Sequence, residues 1–252
     1  METQETPQKD SSNAQPTNVI AAIATSVAMI AIAIVIILHS TGKTGESPAT
    51  TPSDQQPRIT PSTIAADIAT VRTGDANYTR GDINTAQVVV IEYSDSDCPF
   101  CVKFHPTLQQ IVADYKGKVA WVYRFFPLEQ LHPNAFNEAL ALECAGQLGG
   151  AKAFNSYLDS VINLTLNPDP KSNELLTTLA TQQGVNASKF KACITAPATE
   201  ATVRASIAEA EKIGAQGTPY SVIVNKNTGK QVAIPGAYPI ADVKKAIDSL
   251  LK

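Results

Sequence analysis

Two cysteines separated by two residues are the first feature with chemistry in it: Cys98-Pro99-Phe100-Cys101. A thiolate is a nucleophile, and a second thiol within reach can resolve the mixed disulfide it forms. The other reading of such a pair is an inert or metal-binding couple. A metal site of the paired type wants a second C-x-x-C or a histidine pair at ligand spacing. The remaining cysteines, Cys144 and Cys193, are isolated, and His39, His105 and His132 are not so placed. No metal is expected.

The neighbourhood of the pair favours redox chemistry. Gln87–Tyr93 (QVVVIEY) is a β-branched run that reads as a strand buried on both faces. Ser94 to Asp97 form a turn, with Asp95 and Asp97 read as turn residues. Pro99 suits the first position of a helix running to about Tyr115. Cys98 therefore sits at a helix N-terminus, where unpaired N–H groups and the macrodipole favour a thiolate. Cys101 falls about one turn deeper on the same face, within disulfide reach, leaving Cys98 the more exposed. Glu92 is the only charge in its strand. If buried, it has a raised pKa and can exchange a proton with Cys101. The alternative is a strand-end carboxylate facing solvent. His105 and His132 are read as structural, His132 capping or orienting a helix near Pro133, and Trp121 as core.

The elements that position these residues follow from the apolar pattern. Lys118–Phe126 (KVAWVYRFF) is a second strand, completing a βαβ unit. Helical stretches are predicted over roughly 134–147, 151–164, 171–183, 187–194 and 198–213. Tyr220–Asn225 is a strand, 226–229 a turn and Lys230–Ile234 its hairpin partner. A last helix runs from Pro239 to Leu251 with Ile240, Val243, Ile247 and Leu250 on one face. The expected fold class is α/β: a small mixed sheet with helices on both faces, split by a helical insertion over about 128–213.

The N-terminal part has a different character. Val19–Leu38 is twenty residues without a charge. At about 1.5 Å per residue it spans a hydrocarbon core of about 30 Å. We read it as one transmembrane signal anchor; a cleavable signal with a weak site at Ser40-Thr41-Gly42 is the alternative. Residues 1–18 are a polar tail and 39–63 a Ser/Thr/Pro-rich linker, with the folded domain at 64–252. Charges flanking the span do not settle its orientation. The net charge of −3 and the lack of a basic run leave no electrostatic footprint for nucleic acid.

The Cys-Pro-Phe-Cys strand–helix junction, the helical insertion and Gly217-Thr218-Pro219 resemble the DsbA-like branch of the thioredoxin superfamily. Glu92, six residues before Cys98, matches an acidic position of that family, and Pro106 matches a helix-kinking proline. Phe126-Pro127, His132-Pro133, Ala135 and Gly236 are similar to family positions as well. The resemblance covers about Asp75 to Lys252. It implies a thioredoxin-like fold and a cis Thr218-Pro219 bond facing the cysteine pair. Catalytic roles fall on Cys98, Cys101, Glu92 and Pro219. Substrate contacts fall on Thr218, Pro219 and Phe100, with Thr218 pairing by its backbone to an extended substrate. Some members carry a disulfide within the helical subdomain, which here implies Cys144–Cys193; two buried thiols are the other reading. A structural disulfide belongs outside the cytoplasm, which places the domain on the extracytoplasmic face of the cell membrane. Phe100 departs from the histidine of the strongest oxidants in the family.

The expected activity is dithiol–disulfide exchange that introduces disulfides into cysteine-containing exported polypeptides, with no cofactor. The expected partners are those polypeptides, the lipid bilayer, and a quinone-linked disulfide generator (DsbB-like or VKOR-like) for reoxidation. A monomer is expected, since no dimerisation module is seen. The rivals are an isomerase or reductase of the same fold, and a non-catalytic chaperone or binding module.

Overall fold

The computed structural model describes residues 73–165 and 171–252. The expected span Val19–Leu38, the tail 1–18 and the linker 39–63 lie outside the described residues. Among the described residues no helix is long and apolar enough to cross a membrane.

A 3-10 turn, Thr73–Tyr78, leads into β1 (Thr79–Arg80) and β2 (Val88–Ser94). Helix α1 (Pro99–Asp114) crosses to β3 (Val119–Phe125). Four helices follow: α2 (Ala135–Thr165), α3 (Asn173–Gln182), α4 (Ala187–Ile194) and α5 (Pro197–Lys212). The chain returns through β4 (Tyr220–Asn225) and β5 (Gln231–Pro235) and closes on α6 (Ile240–Leu250). The predicted order of strands, insertion and closing helix is the observed one. The 3-10 turn and the two-residue β1 were not anticipated, because two residues carry no period to detect. The predicted helices at 134–147 and 151–164 are the two arms of α2, which breaks at Gly150 (φ 65°, ψ −171°). A positive φ there suits only a residue without Cβ.

The sheet has the order β1-β3-β2-β4-β5. β2 and β3 are parallel across α1; the other pairings are antiparallel. β2 is flanked on both sides and every residue in it is buried, which explains its unbroken apolar run. Alternation sends Val88 and Val90 to one face, with Trp121, Tyr123 and the apolar sides of α1, α2 and α6. Val89, Ile91 and Tyr93 go to the other, against Ala210 at the end of α5 and Ile213. Glu92 shares parity with Val90, so its carboxyl enters the α1 side of the sheet. There it is in register with Tyr123 on β3 and Ser221 on β4.

Candidate active site

The C-terminal end of β2, the turn after it and the first turn of α1 present the cysteine pair. The turn is held by Asp95, a turn residue as expected, and its side chain is buried. One carboxylate oxygen accepts the Asp97 N–H at 2.8 Å; the other accepts the Leu128 N–H at 2.9 Å and bonds His132 Nδ1 at 2.8 Å. The Asp95 carbonyl accepts the Cys98 N–H at 3.1 Å. His132 thus clasps the active-site turn rather than capping the following helix. This pairing with Asp95 offsets the burial that would otherwise lower its pKa, and the net shift is upward.

A second set of contacts lies beside it. Ser96 Oγ donates to Glu138 Oε2 at 2.6 Å. Lys171 Nζ bonds Glu138 Oε1 at 2.7 Å and Asp97 Oδ1 at 3.3 Å. Burial raises the Glu138 pKa, and Lys171 and Ser96 oppose the rise. Sequence reasoning missed both Glu138 and Lys171. Each is a charged residue of the insertion, and no local spacing ties it to a turn far away in the chain.

Cys98 is the N-cap of α1, with extended dihedrals (φ −79°, ψ 123°) and Pro99 following at the first helical position. Its thiol pKa falls to about 5. The Cys101 thiol, which hydrogen-bonds the Cys98 sulfur, is the main cause. The Thr218 side chain and the N–H groups of Cys101 and Phe100 add to it against the cost of burial. Cys101 moves the other way: burial, and then Cys98 and Glu92, push it well above its usual value. Neither cysteine is disulfide-bonded. Cys98 is the more exposed, but narrowly, at 4% against 1% for Cys101. The Thr218–Pro219 segment, whose peptide bond is cis, lies against Cys98. The Cys98 thiol donates to the Thr218 carbonyl at 3.6 Å. Gly217, Thr218, Pro219 and Tyr220 line a cleft of about 330 Å³. Phe100, by contrast, stands out into solvent, 65% exposed.

Glu92 is 1% exposed, so the carboxylate facing solvent is not what the fold builds. Burial raises its pKa to about 8, with Ser94 and Trp121 pulling back. Ser94 Oγ donates to Glu92 Oε1 at 2.9 Å. His105 is buried too; its Nε2 meets Asp159 at 2.7 Å and its ring packs edge-on to Trp121. Cys144 and Cys193 are bonded to each other, tying α2 to α4. Their sulfurs lie against Thr199 Oγ1 at 3.9 and 3.5 Å, apart from the Cys98–Cys101 pair. Among the described residues no group of three His, Cys, Asp or Glu side chains could hold a metal ion. The structure thus brings Cys98, Cys101, Glu92, Thr218 and Pro219 to one place, with Phe100 at its rim. Such a centre can form, pass on and break a disulfide.

Residues 75–249 match the family model described as thioredoxin. The chain is similar to a provisionally named protein-disulfide oxidoreductase of Rickettsia prowazekii. The two are 28% identical over 203 residues, 78% of this chain and 68% of that protein. A 75-residue stretch is 37% identical to a Na(+)/H(+) antiporter NhaA 1 of Mycolicibacterium vanbaalenii. That stretch is 30% of this chain and spans only 12% of the antiporter's length. Among solved structures, DsbA2 of Pseudomonas aeruginosa superposes with a TM-score of 0.59 at 27% identity. The superposition covers 69% of this chain and 93% of that one. The catalytic domain of Proteus mirabilis ScsC shares the fold, with a TM-score of 0.57 at 21% identity over 70% of this chain and 90% of that one. These likenesses mark the described domain as that of a dithiol–disulfide oxidoreductase. The chain belongs to the thioredoxin family, and its fold is DsbA-like.

Proposed function

We propose that the protein introduces disulfides into cysteine-containing exported polypeptides, working from the extracytoplasmic face of the cell membrane. One observation carries the reading. An acidified Cys98 caps the N-terminus of α1 beside Thr218-Pro219, while its partner Cys101 is held protonated near a buried Glu92. In the oxidised centre a substrate thiolate attacks the Cys98 sulfur, and Cys101 leaves with the electron pair of the broken bond. A second substrate thiol then attacks the substrate sulfur of the mixed disulfide and expels Cys98. Cys98 is the better leaving group because its thiolate is the stabilised one. Glu92 exchanges a proton with Cys101. Thr218 offers backbone pairing, Pro219 shapes that edge, and Phe100 contributes apolar contact. Electrons move only between sulfurs, so no organic cofactor is required.

The placement rests on sequence as well as chemistry. Val19–Leu38 acts as a signal anchor and 39–63 as a tether for the domain at 64–252. The Cys144–Cys193 bond supports an oxidising compartment. A membrane quinone-linked disulfide generator, DsbB-like or VKOR-like, returns the dithiol to the disulfide. The domain acts as a monomer.

Refolding of a reduced, multi-disulfide substrate tests direction. The oxidised protein should accelerate it, and Cys101→Ala should accumulate mixed disulfides while Cys98→Ala should not. Exposed Phe100 favours a second reading. It offers no hydrogen bond or charge to the Cys98 thiolate, which weakens the oxidant. If the protein reduces insulin faster than it oxidises the substrate, the reductase reading replaces the oxidase.

A further inference from the structure

We infer that the cleft between α1 and the second arm of α2 takes the stretch of substrate polypeptide beside its cysteine, and that Lys103 on its rim selects an acidic side chain there. The inference rests on the exchange chemistry proposed above and names the class of substrate that chemistry favours.

Two helical stripes form the cleft. On α1, Pro99, Val102, Lys103 and Pro106 are spaced i, i+3, i+4 and i+7, so they share one face. On α2, Asp159, Ile162 and Asn163 are spaced i, i+3 and i+4 and line the other wall. The space between them is about 530 Å³, within the size range of ligand clefts. It shares no lining residue with the cleft at Thr218-Pro219.

Continuity with the redox centre identifies the occupant. The α1 wall begins at Pro99, the residue after Cys98. From there to Pro106 the stripe runs about 10 Å along the helix. An extended chain covers that length with about three residues. A polypeptide joined to the Cys98 sulfur as a mixed disulfide therefore has this cleft within reach of the residues flanking its own cysteine.

Charge sets the preference. Asp159 is already matched: its Oδ1 accepts from Arg80 Nη2 at 2.5 Å and Gln109 Nε2 at 2.9 Å, and meets His105 Nε2 at 2.7 Å. Burial would raise its pKa, but His105 and Arg80 hold it below the usual value, so the carboxylate stays ionised against the guanidinium. Lys103 is exposed and has no hydrogen bond or ion pair among the described residues. Among the described lining residues the cleft thus keeps one positive charge with nothing opposite it. A basic side chain is repelled there. A neutral one gains only apolar contact with Val102, Pro106 and Ile162. Glu or Asp gains that contact and the lysine.

The test mixes the full-length oxidised protein in detergent, by stopped flow, with single-cysteine peptides carrying Glu or Lys two residues from the cysteine, on either side. The Glu-to-Lys rate ratio is compared between wild type and variants, so any effect of the charge on the peptide's own thiol cancels. An exposed ion pair changes such a rate by up to about fivefold. Lys103→Glu replaces attraction with repulsion and should lower the ratio about tenfold on at least one side of the cysteine. Asn163→Lys adds a cation on the opposite wall and should raise it about threefold. Lys118→Glu makes the same change in net charge at the start of β3, at the far end of the parallel pair from Cys98, and should leave the ratio alone. Salt at 1 M should erase the differences between these proteins. All should still react with 2-mercaptoethanol, which shows the redox centre intact. The assignment is overturned if Lys103→Glu moves the ratio less than twofold on both sides, or no more than Lys118→Glu does. A response to Lys103→Glu with none to Asn163→Lys would place the charge effect outside the cleft and equally overturn it. Reaction in Cys98→Ala would instead overturn the exchange reading itself, and the subsite with it.

Discussion

The split between the two thiols can be read from how the redox potential moves with pH. An unperturbed dithiol gains two electrons and two protons when its disulfide opens. Its potential falls about 60 mV per pH unit, since a tenfold change for a two-electron couple is about 30 mV. Here the pKa of Cys98 has dropped from 9 to about 5 while that of Cys101 has risen. Between pH 6 and 7.5 the reduced centre therefore holds one proton, and the slope should be about 30 mV per pH unit. The same shift has a size at fixed pH. At pH 7 the thiolate of a group titrating at about 5 is favoured by about 2.7 kcal/mol over one that stays protonated. That stabilises the reduced form and makes the couple about 60 mV more oxidising than an unperturbed pair. We expect a potential between about −230 and −120 mV at pH 7. The assay equilibrates the protein with glutathione buffers of known potential at each pH, quenches in acid, alkylates and resolves the two states by mass. A slope near 60 mV across this window would mean that both thiols keep their protons. It would refute the assignment of Cys98 as the resting thiolate.

Three further outcomes follow from other parts of the molecule. The Glu92 pKa rises from 4.5 to about 8 on folding, so its contribution to stability is fully present below 4.5 and gone once pH has risen through about 8. At about 1.4 kcal/mol per pH unit that is about 5 kcal/mol. Urea unfolding of the oxidised protein should show a loss of this order between pH 5 and 9 that Glu92→Gln abolishes. Removing the Cys144–Cys193 bond by a double alanine substitution should cost about 4 kcal/mol for a loop of this length, read as a lower urea midpoint. The exchange rate should not change. Lys171→Met should leave the Glu138 carboxylate without its buried cation and cost about 3–5 kcal/mol. Thermal denaturation should show the loss, and adding Glu138→Gln should recover part of it.

What sequence made legible is what lies close along the chain. The cysteine pair, the strand before it and Pro99 after it fall within one short stretch, and local rules place Cys98 at a helix end. Strand and helix periods recover the order of elements because β2 is buried throughout and α6 has a single apolar face. Thr218-Pro219 was found through family resemblance, since nothing local distinguishes this peptide bond from an ordinary one. Asp95 is the turn residue it was read as, but its bond to His132 stayed out of reach for a related reason. Each looks like a turn or cap residue, and only the fold reveals that they bond to each other. Lys171 and Glu138 lay beyond sequence reasoning altogether, because a buried ion pair between distant segments leaves no period and no motif.

The site works by setting two environments against each other across one helical turn. On the outer side, the Cys101 thiol, the Thr218 side chain and free N–H groups stabilise charge on Cys98. On the inner side, burial penalises charge on Cys101 and on Glu92 alike. Desolvation alone would raise both cysteines together and leave a sluggish dithiol. Hydrogen bonding alone would lower both and leave no preferred leaving group in the mixed disulfide. The Cys101 thiol supplies most of the difference by donating to Cys98, and the unpaired N–H groups of the helix's first turn add to it. Cys98 is in that turn as the N-cap, and Cys101 lies deeper, at 1% exposure, over the sheet. The spacing of two residues between the cysteines therefore keeps the sulfurs within bonding distance while placing one inside the field of the helix end and the other beneath it. Asp95, His132, Glu138 and Lys171 hold the turn that leads into this helix end.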